Sequence, residues 1–183
     1  MAIGFIMQPH KPVIASDCGR RHWRTMVKRT SLAGATCPIA RALDVIGDWW
    51  SMLIIRDALL GRRRFGEFHR SLGLAKNILS ARLRMLVDEG ILTAVPAADG
   101  SAYQEYVLTD KGRGVFPILV ALRQWSEAFD AHPDEIATIL VDREKGEPVE
   151  RLEIRARDGR LLQIGDTELK PRPAAKRARH AVT

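Results

Sequence analysis

Apolar residues in the central part of the chain recur first at three- and four-residue steps and then at steps of two. In CPIARALDVIGDWWSMLIIRDALLG, residues 37–61, Ile39, Leu43, Ile46, Trp50, Leu53 and Ile54 fall on one helical face. Pro38 suits a first helical turn, where its missing N–H costs nothing. Asp48 stands where it can cap a second segment after Gly47, and Gly61 ends that segment. A short helix is predicted over Phe65–Leu72, with Phe65, Phe68 and Leu72 on one face and Arg64 and Arg70 directed away from it. Gly73 marks a turn. A longer helix then runs to Gly90. At about 100° per residue, Leu79, Leu83 and Leu86 cluster on one side, and Asn77, Ser80, Ala81, Arg84 and Asp88 lie opposite.

The period then changes. Ile91–Val95 and Tyr103–Leu108 read as strands flanking PAADGSA, whose Pro96, Asp99 and Gly100 supply turn chemistry, so a β-hairpin is predicted. Thr109 is expected to cap a helix whose body, VFPILVALRQWSEAF (115–129), is apolar nearly all round. Such a helix needs burial on several sides, most simply against a second subunit. Beyond Pro133, Thr138–Val141, Val149–Arg157 and Arg160–Ile164 look like strands, with Asp158-Gly159 as a two-residue hairpin turn. Leu152, Ile154 and Ala156 alternate there with Glu153, Arg155 and Arg157, one face buried and one wet. The fold class is α+β, mainly α, in four parts. Residues 1–25 lack periodicity and are expected to be a disordered extension, Met26 serving as a natural chain start. Residues 26–132 form the main domain, 133–169 a small β-appendage, and 170–183 a basic, Pro-rich tail that cannot build a core.

A chain of 183 residues, 46% hydrophobic and 28% charged, fits one globular domain with appendages. No apolar run approaches the roughly 18 residues that span a bilayer, and no secretory signal pattern opens the chain, so a cytoplasmic protein with no membrane partner is expected. The net charge is +7. Both ends are basic, and between Arg56 and Arg84 stand Arg56, Arg62, Arg63, Arg64, Arg70, Lys76, Arg82 and Arg84 against only Asp57 and Glu67. That concentration points to a polyanion partner docked on these two helices. Cys18 and Cys37 form no CxxC pair and have no histidine cluster nearby, so no metal or cofactor is expected.

The order of helix, short helix, glycine turn, longer helix, hairpin and helix is a helix-turn-helix followed by a wing. The major groove admits one helix, and that helix reads base edges with its N-terminal side chains. Lys76, Asn77, Ser80 and Arg84 on the helix at about 76–89 are the predicted base contacts. Arg62, Arg63, Arg64 and Arg70, around the short helix, are placed to meet backbone phosphates and position the protein without reading sequence. A helical hairpin with a polar face also occurs in proteins that bind no DNA; the concentrated charge and the hairpin behind it decide for the DNA reader. The chain contains no GxSxG, phosphate loop or His/Asp/Ser set, so an enzyme is not expected. Nonspecific binding of single strands needs aromatics exposed on a basic sheet. Here Trp49, Trp50 and Trp125 belong to apolar helical faces, and Trp49 and Trp50 point about 100° apart. Trp50 is placed in the core and Trp49 against a different neighbour.

CPIARALDVIGDWWSMLIIRDALLG, RRFGEFHRSLGLAKNILSARLRMLVDEGIL, QEYVLTDKG and ALRQW together resemble the HxlR-type winged helix-turn-helix transcriptional regulators, a branch near the MarR-like regulators. The resemblance covers roughly Met26 to His132. It implies a homodimeric, sequence-specific binder of pseudo-palindromic duplex DNA that often represses a nearby gene, with a small molecule or oxidant as effector. It also implies a dimer interface built from the N-terminal segment and the long C-terminal helix, here Val115, Ile118, Leu119, Leu122, Trp125 and Phe129. Cys37 matches a Cys-Pro position at which several members sense oxidants or electrophiles. A helix N-terminus favours thiolate, whereas buried cysteines are inert small hydrophobes, and both readings stand. Two departures matter. Family wings often carry a basic residue at the tip, where this chain has Asp99, and the appendage has no cysteine, so no metal is assigned to it.

Overall fold

The computed structural model describes residues 31–129 and 138–171. The expected N-terminal extension, the segment around Pro133 and nearly all of the basic tail lie outside these residues. The chain divides into two compact units, Met1–Asp44 and Val45–Thr183. In the described part of the first, Arg41 donates to the carbonyls of Ala35 (2.7 Å) and Thr36 (3.0 Å), fastening the approach to α1 (Pro38–Ile46). Ile39 and Leu43 on this helix are exposed.

The single apolar face expected across residues 39–54 is divided between two helices. Asp48 adopts an extended backbone and caps α2 (Trp49–Leu59), its carboxylate accepting the N–H groups of Trp50 and Ser51, each at 3.1 Å. An N-cap residue lies outside helical φ/ψ space, so α1 and α2 cannot be continuous. After the break, Ile54 and Ile55 are fully buried and Trp50 packs against the core, as expected for it.

Helix α3 (Phe65–Leu72) ends at Gly73, whose φ of 63° is the left-handed conformation that favours glycine at a helix C-terminus. Helix α4 (Lys76–Asp88) buries Leu79, Leu83 and Leu86 in one cluster with Ile54, Ile55, Phe68, Leu74, Ile91 and Leu92. Each such side chain contributes roughly 1.5–3 kcal/mol by leaving water. Strands β1 (Leu92–Pro96) and β2 (Gln104–Leu108) pair antiparallel, with Leu92 opposite Leu108 and Pro96 opposite Gln104. The residues before α3 run along the other edge of β2: Arg64 bridges Glu105, and the Tyr106 N–H donates to the Arg63 carbonyl at 2.8 Å.

Thr109 caps a one-turn helix, α5 (Asp110–Arg113), rather than the long helix expected after it; its hydroxyl accepts the Gly112 N–H at 3.1 Å. The same hydroxyl donates to the Gly90 carbonyl at 2.6 Å, closing the base of the hairpin onto the end of α4. Gly112 is obligatory by space, since a Cβ there would lie 2.2 Å from the Ile91 carbonyl oxygen. Helix α6 (Phe116–Phe129) follows, and of its residues only Val120 is buried. The expected burial on several sides is not supplied by the described residues of this chain.

The appendage departs from its sequence pattern. In place of three strands, residues 138–171 hold isolated bridges, Val141 with Pro148 and Arg155 with Leu161, and Ile164–Asp166 is a 3-10 turn. The reversal at Asp158-Gly159 is a longer turn than the two-residue one expected: Gly159 donates to the Ala156 carbonyl (2.9 Å) and Ala156 to that of Arg160 (2.8 Å). The physical reason is that isolated hairpins are marginal without a surface to bury, and Leu152 and Ile154 remain 50% and 68% exposed. Attachment comes from α6 instead. The Gln124 side-chain amide accepts the Leu152 N–H and donates to the Glu150 carbonyl, both at 2.9 Å, as a neighbouring strand would.

Candidate nucleic-acid interface

The outer face of α4 follows from its inner one. Because Leu79, Leu83 and Leu86 point into the core, Asn77, Ser80 and Arg84 are turned outward; Lys76 opens the helix, and all four are exposed. None of their side chains makes a hydrogen bond or ion pair among the described residues. Ala75 occupies the N-cap position with no side-chain bond, and the first turn of α4 holds no acid. Its leading N–H groups therefore present partial positive charge to solvent. Ile78, 42% exposed on this first turn, is a residue the sequence reading missed. Periodicity sorts an isoleucine toward the core, and only the observed orientation of the helix reveals it as an apolar group suited to a thymine methyl.

The arginines around α3 are differently placed. Arg62 lies 3.3 Å from Asp57 Oδ1, an oxygen that Arg56 also engages at 2.8 Å, and Asp57 is fully buried. Arg64 does not point away as expected; its guanidinium turns back over the wing, where it meets Glu105 (3.2 Å) and Asp99 (2.7 Å). Arg63 reaches to within 3.9 Å of the other Glu105 oxygen. Arg70 is exposed and has no ion pair among the described residues. Arg82, beside the exposed outer face of α4, pairs with Asp48 at 3.4 Å and ties α4 to the start of α2.

These pairings shift proton affinities. The N–H groups of Arg64 and then Arg63 hold the Glu67 carboxyl below its ordinary value. Ser101 and then Arg64 hold Asp99 well below the usual carboxylate range. Asp99, followed by Glu105, raises Arg64. Sequence spacing could not have paired Arg64 with Glu105, because the contact spans 41 residues and depends on the wing folding back.

Of the six residues expected at a subunit interface, Val115 is buried in the chain's own core and Leu119 packs partly buried against it. Ile118, Leu122, Trp125 and Phe129 are exposed, as is Phe116, and the Trp125 and Phe129 rings lie 6.1 Å apart. Trp49 is 75% exposed, its ring edge-on to Trp50. Cys37 is exposed at the start of α1. Among the described residues no three His, Cys, Asp or Glu gather as a metal site, and no helix is long and apolar enough to cross a membrane.

A short helix, a glycine turn, an outward-facing second helix and a hairpin braced against both define the winged helix-turn-helix class of transcription regulators, of the MarR and HxlR type. The chain belongs to the HxlR-like helix-turn-helix family, whose pattern matches residues 45–134. It is 42% identical over 96 residues to an HTH-type transcriptional regulator of Mycobacterium tuberculosis, a match that covers 52% of this chain and 61% of that protein's length. The crystal structure of PA1607, a candidate transcription factor, superposes with a TM-score of 0.73 at 60% identity, covering 77% of this chain and 99% of that one. PA1374 of Pseudomonas aeruginosa, another candidate transcription factor, gives a TM-score of 0.55 at 40% identity, covering 77% of this chain and 96% of that one.

Proposed function

We propose that the protein is a homodimeric, sequence-specific binder of duplex DNA that represses a nearby gene. The observation that carries this reading is the first turn of α4, where Lys76, Asn77, Ser80 and, one turn on, Arg84 stand exposed on an uncapped helix start. Asn77 offers an amide that matches adenine with both its groups, and Arg84 a fork that matches guanine. Lys76 and the free N–H groups suit a phosphate. Arg63 and Arg70 position the unit on the backbone, with Arg62 and Arg64 joining as their carboxylate partners allow.

The dimer is supported by α6, whose exposed Ile118, Leu122, Trp125 and Phe129 form an apolar surface of the kind that marks protein contacts. Two copies then read half-sites about one helical turn apart, near 34–36 Å. A dimer laid across a promoter excludes polymerase, which is the basis for assigning repression. Selection of bound duplexes from a random pool, with sizing of the free protein, tests both parts. A two-fold symmetric consensus and a dimer are expected; an asymmetric consensus bound by a monomer defeats the reading.

A second reading rests on Cys37, which is exposed at the start of a helix and so open to oxidants and electrophiles. Full modification of its thiol should then change duplex binding. Unchanged binding removes the sensor role.

A further inference from the structure

The Arg64 guanidinium is held by two carboxylates of unlike standing. Glu105 lies on β2, is only 7% exposed, and accepts from both Nε and Nη2 of Arg64 at 3.2 Å. A buried carboxylate cannot lose its cation cheaply, so this pair is a fixed part of the fold. Asp99 lies in the hairpin loop, its side chain 51% exposed, and approaches the same Nη2 at 2.7 Å. Within that loop it is held by Ser101, whose N–H donates to Asp99 Oδ1 at 3.1 Å. Exposed pairs of this sort contribute little to stability and exchange readily.

Arg64 does not need Asp99 for charge compensation, because Glu105 already supplies it. The Arg64 Nη1 makes no hydrogen bond among the described residues, and the side chain keeps 38% of its surface open beside the start of α3. The result is a guanidinium at the expected DNA-facing edge whose outer side is filled by an exposed anion of the protein's own. A phosphate oxygen bonds to a guanidinium with the same geometry as a carboxylate oxygen.

We propose that Asp99 is a built-in phosphate mimic: it occupies the side of Arg64 that a DNA phosphate takes on binding, and so lowers the affinity of the wing for duplex DNA. This rests on the duplex-binding reading above. Glu67 offers the instructive contrast. It too is a carboxylate at the start of α3, but it accepts the backbone N–H groups of Arg63 and Arg64 at 2.7 and 2.8 Å and so completes the helix. Asp99 completes no helix and no strand, and its displacement leaves the backbone pairing of the wing intact.

The test uses the full chain and a mixed-sequence duplex, because a phosphate contact carries no sequence information. Asp99→Asn is expected to bind about fivefold tighter than wild type, the factor matching an exposed pair at the top of its range. Asp158→Asn, which removes an equal charge from the appendage, is expected to change binding less than twofold. In an Arg64→Gln/Glu105→Gln background, which removes the buried pair together, Asp99→Asn should give less than a twofold gain. Thermal melts establish that each variant is folded. Asp99→Asn binding equal to or weaker than wild type overturns the proposal, as does an equal gain from Asp158→Asn. Wild type that binds no duplex at low salt defeats the DNA-binding reading itself, and the role of Asp99 with it.

Discussion

The two helices of the helix-turn-helix handle their N-termini in opposite ways. At α3 the chain fills the site itself: Glu67 takes the N–H groups of Arg63 and Arg64, and Arg64 is paired with Glu105 and Asp99. At α4 nothing fills it: Ala75 offers no cap, no acid stands in the first turn, and the outward side chains have no partners among the described residues. Caps stabilise helices by satisfying the first N–H groups. A helix that forgoes one must draw its stability elsewhere, and α4 draws it from Leu79, Leu83 and Leu86, each fully buried. The difference teaches how stability and function are divided. α3 is a self-contained brace, and α4 leaves polar groups unsatisfied where a ligand can satisfy them.

The division can be broken first from the inside. Leu83→Ala is expected to cost about 3–5 kcal/mol, since it removes a fully buried side chain and leaves a cavity. Ser80→Ala, on the opposite face, should stay within about 0.5 kcal/mol. Denaturant unfolding of both variants measures the contrast. Equal costs at the two positions would mean that the outer face also carries stability.

Asn77→Ala comes next. It should leave stability near that of wild type while losing about 1–3 kcal/mol at one base position of the selected site, read by comparing binding to single-base variants. Arg63→Ala is expected to weaken all duplexes alike and to flatten the salt dependence by about one phosphate. If Arg63→Ala changed preference at a single base, the roles of the two helices would be reversed.

Sequence alone revealed the parts of this division that depend on local spacing. Gly73 and the run Leu79, Leu83, Leu86 specify the turn and the buried face of α4, because both signals lie within one or two helical turns. Asp48 announced its cap for the same reason. What escaped was long-range or depended on unmet burial. Arg64 found Glu105 across the folded wing, and Thr109 capped an extra helical turn that Gly112 permits by lying against Ile91. Alternation in Val149–Arg157 promised a strand, yet a strand needs a surface beneath it, and a pattern of residues cannot say whether one exists. Ile78 was hidden because an apolar side chain on a helix reads as core.

Ala75→Ser sets stability against binding. Serine at the N-cap accepts an N–H that alanine leaves open, so the melt should rise by an amount equivalent to about 1 kcal/mol. The same N–H is then withheld from a phosphate, and duplex affinity should fall. A stabilised variant with unchanged affinity would show that the open end of α4 plays no part in binding.

The smallest effect is expected at Glu67, and it probes the filled end. Glu67→Gln keeps an acceptor for the N–H groups of Arg63 and Arg64 but removes the charge that interacts with the start of α3, worth about 0.3–1 kcal/mol. Because those N–H groups hold the Glu67 carboxyl below its ordinary value, its contribution is present above about pH 4.3. It is lost as the pH falls through the depressed folded value. Wild type should therefore be the more stable protein at neutral pH, and the two denaturation curves should converge in acid. A stability gap that persists below the folded value would mean that Glu67 acts through packing, and the opposition between a charged, closed α3 and an open α4 would then rest on Arg64 alone.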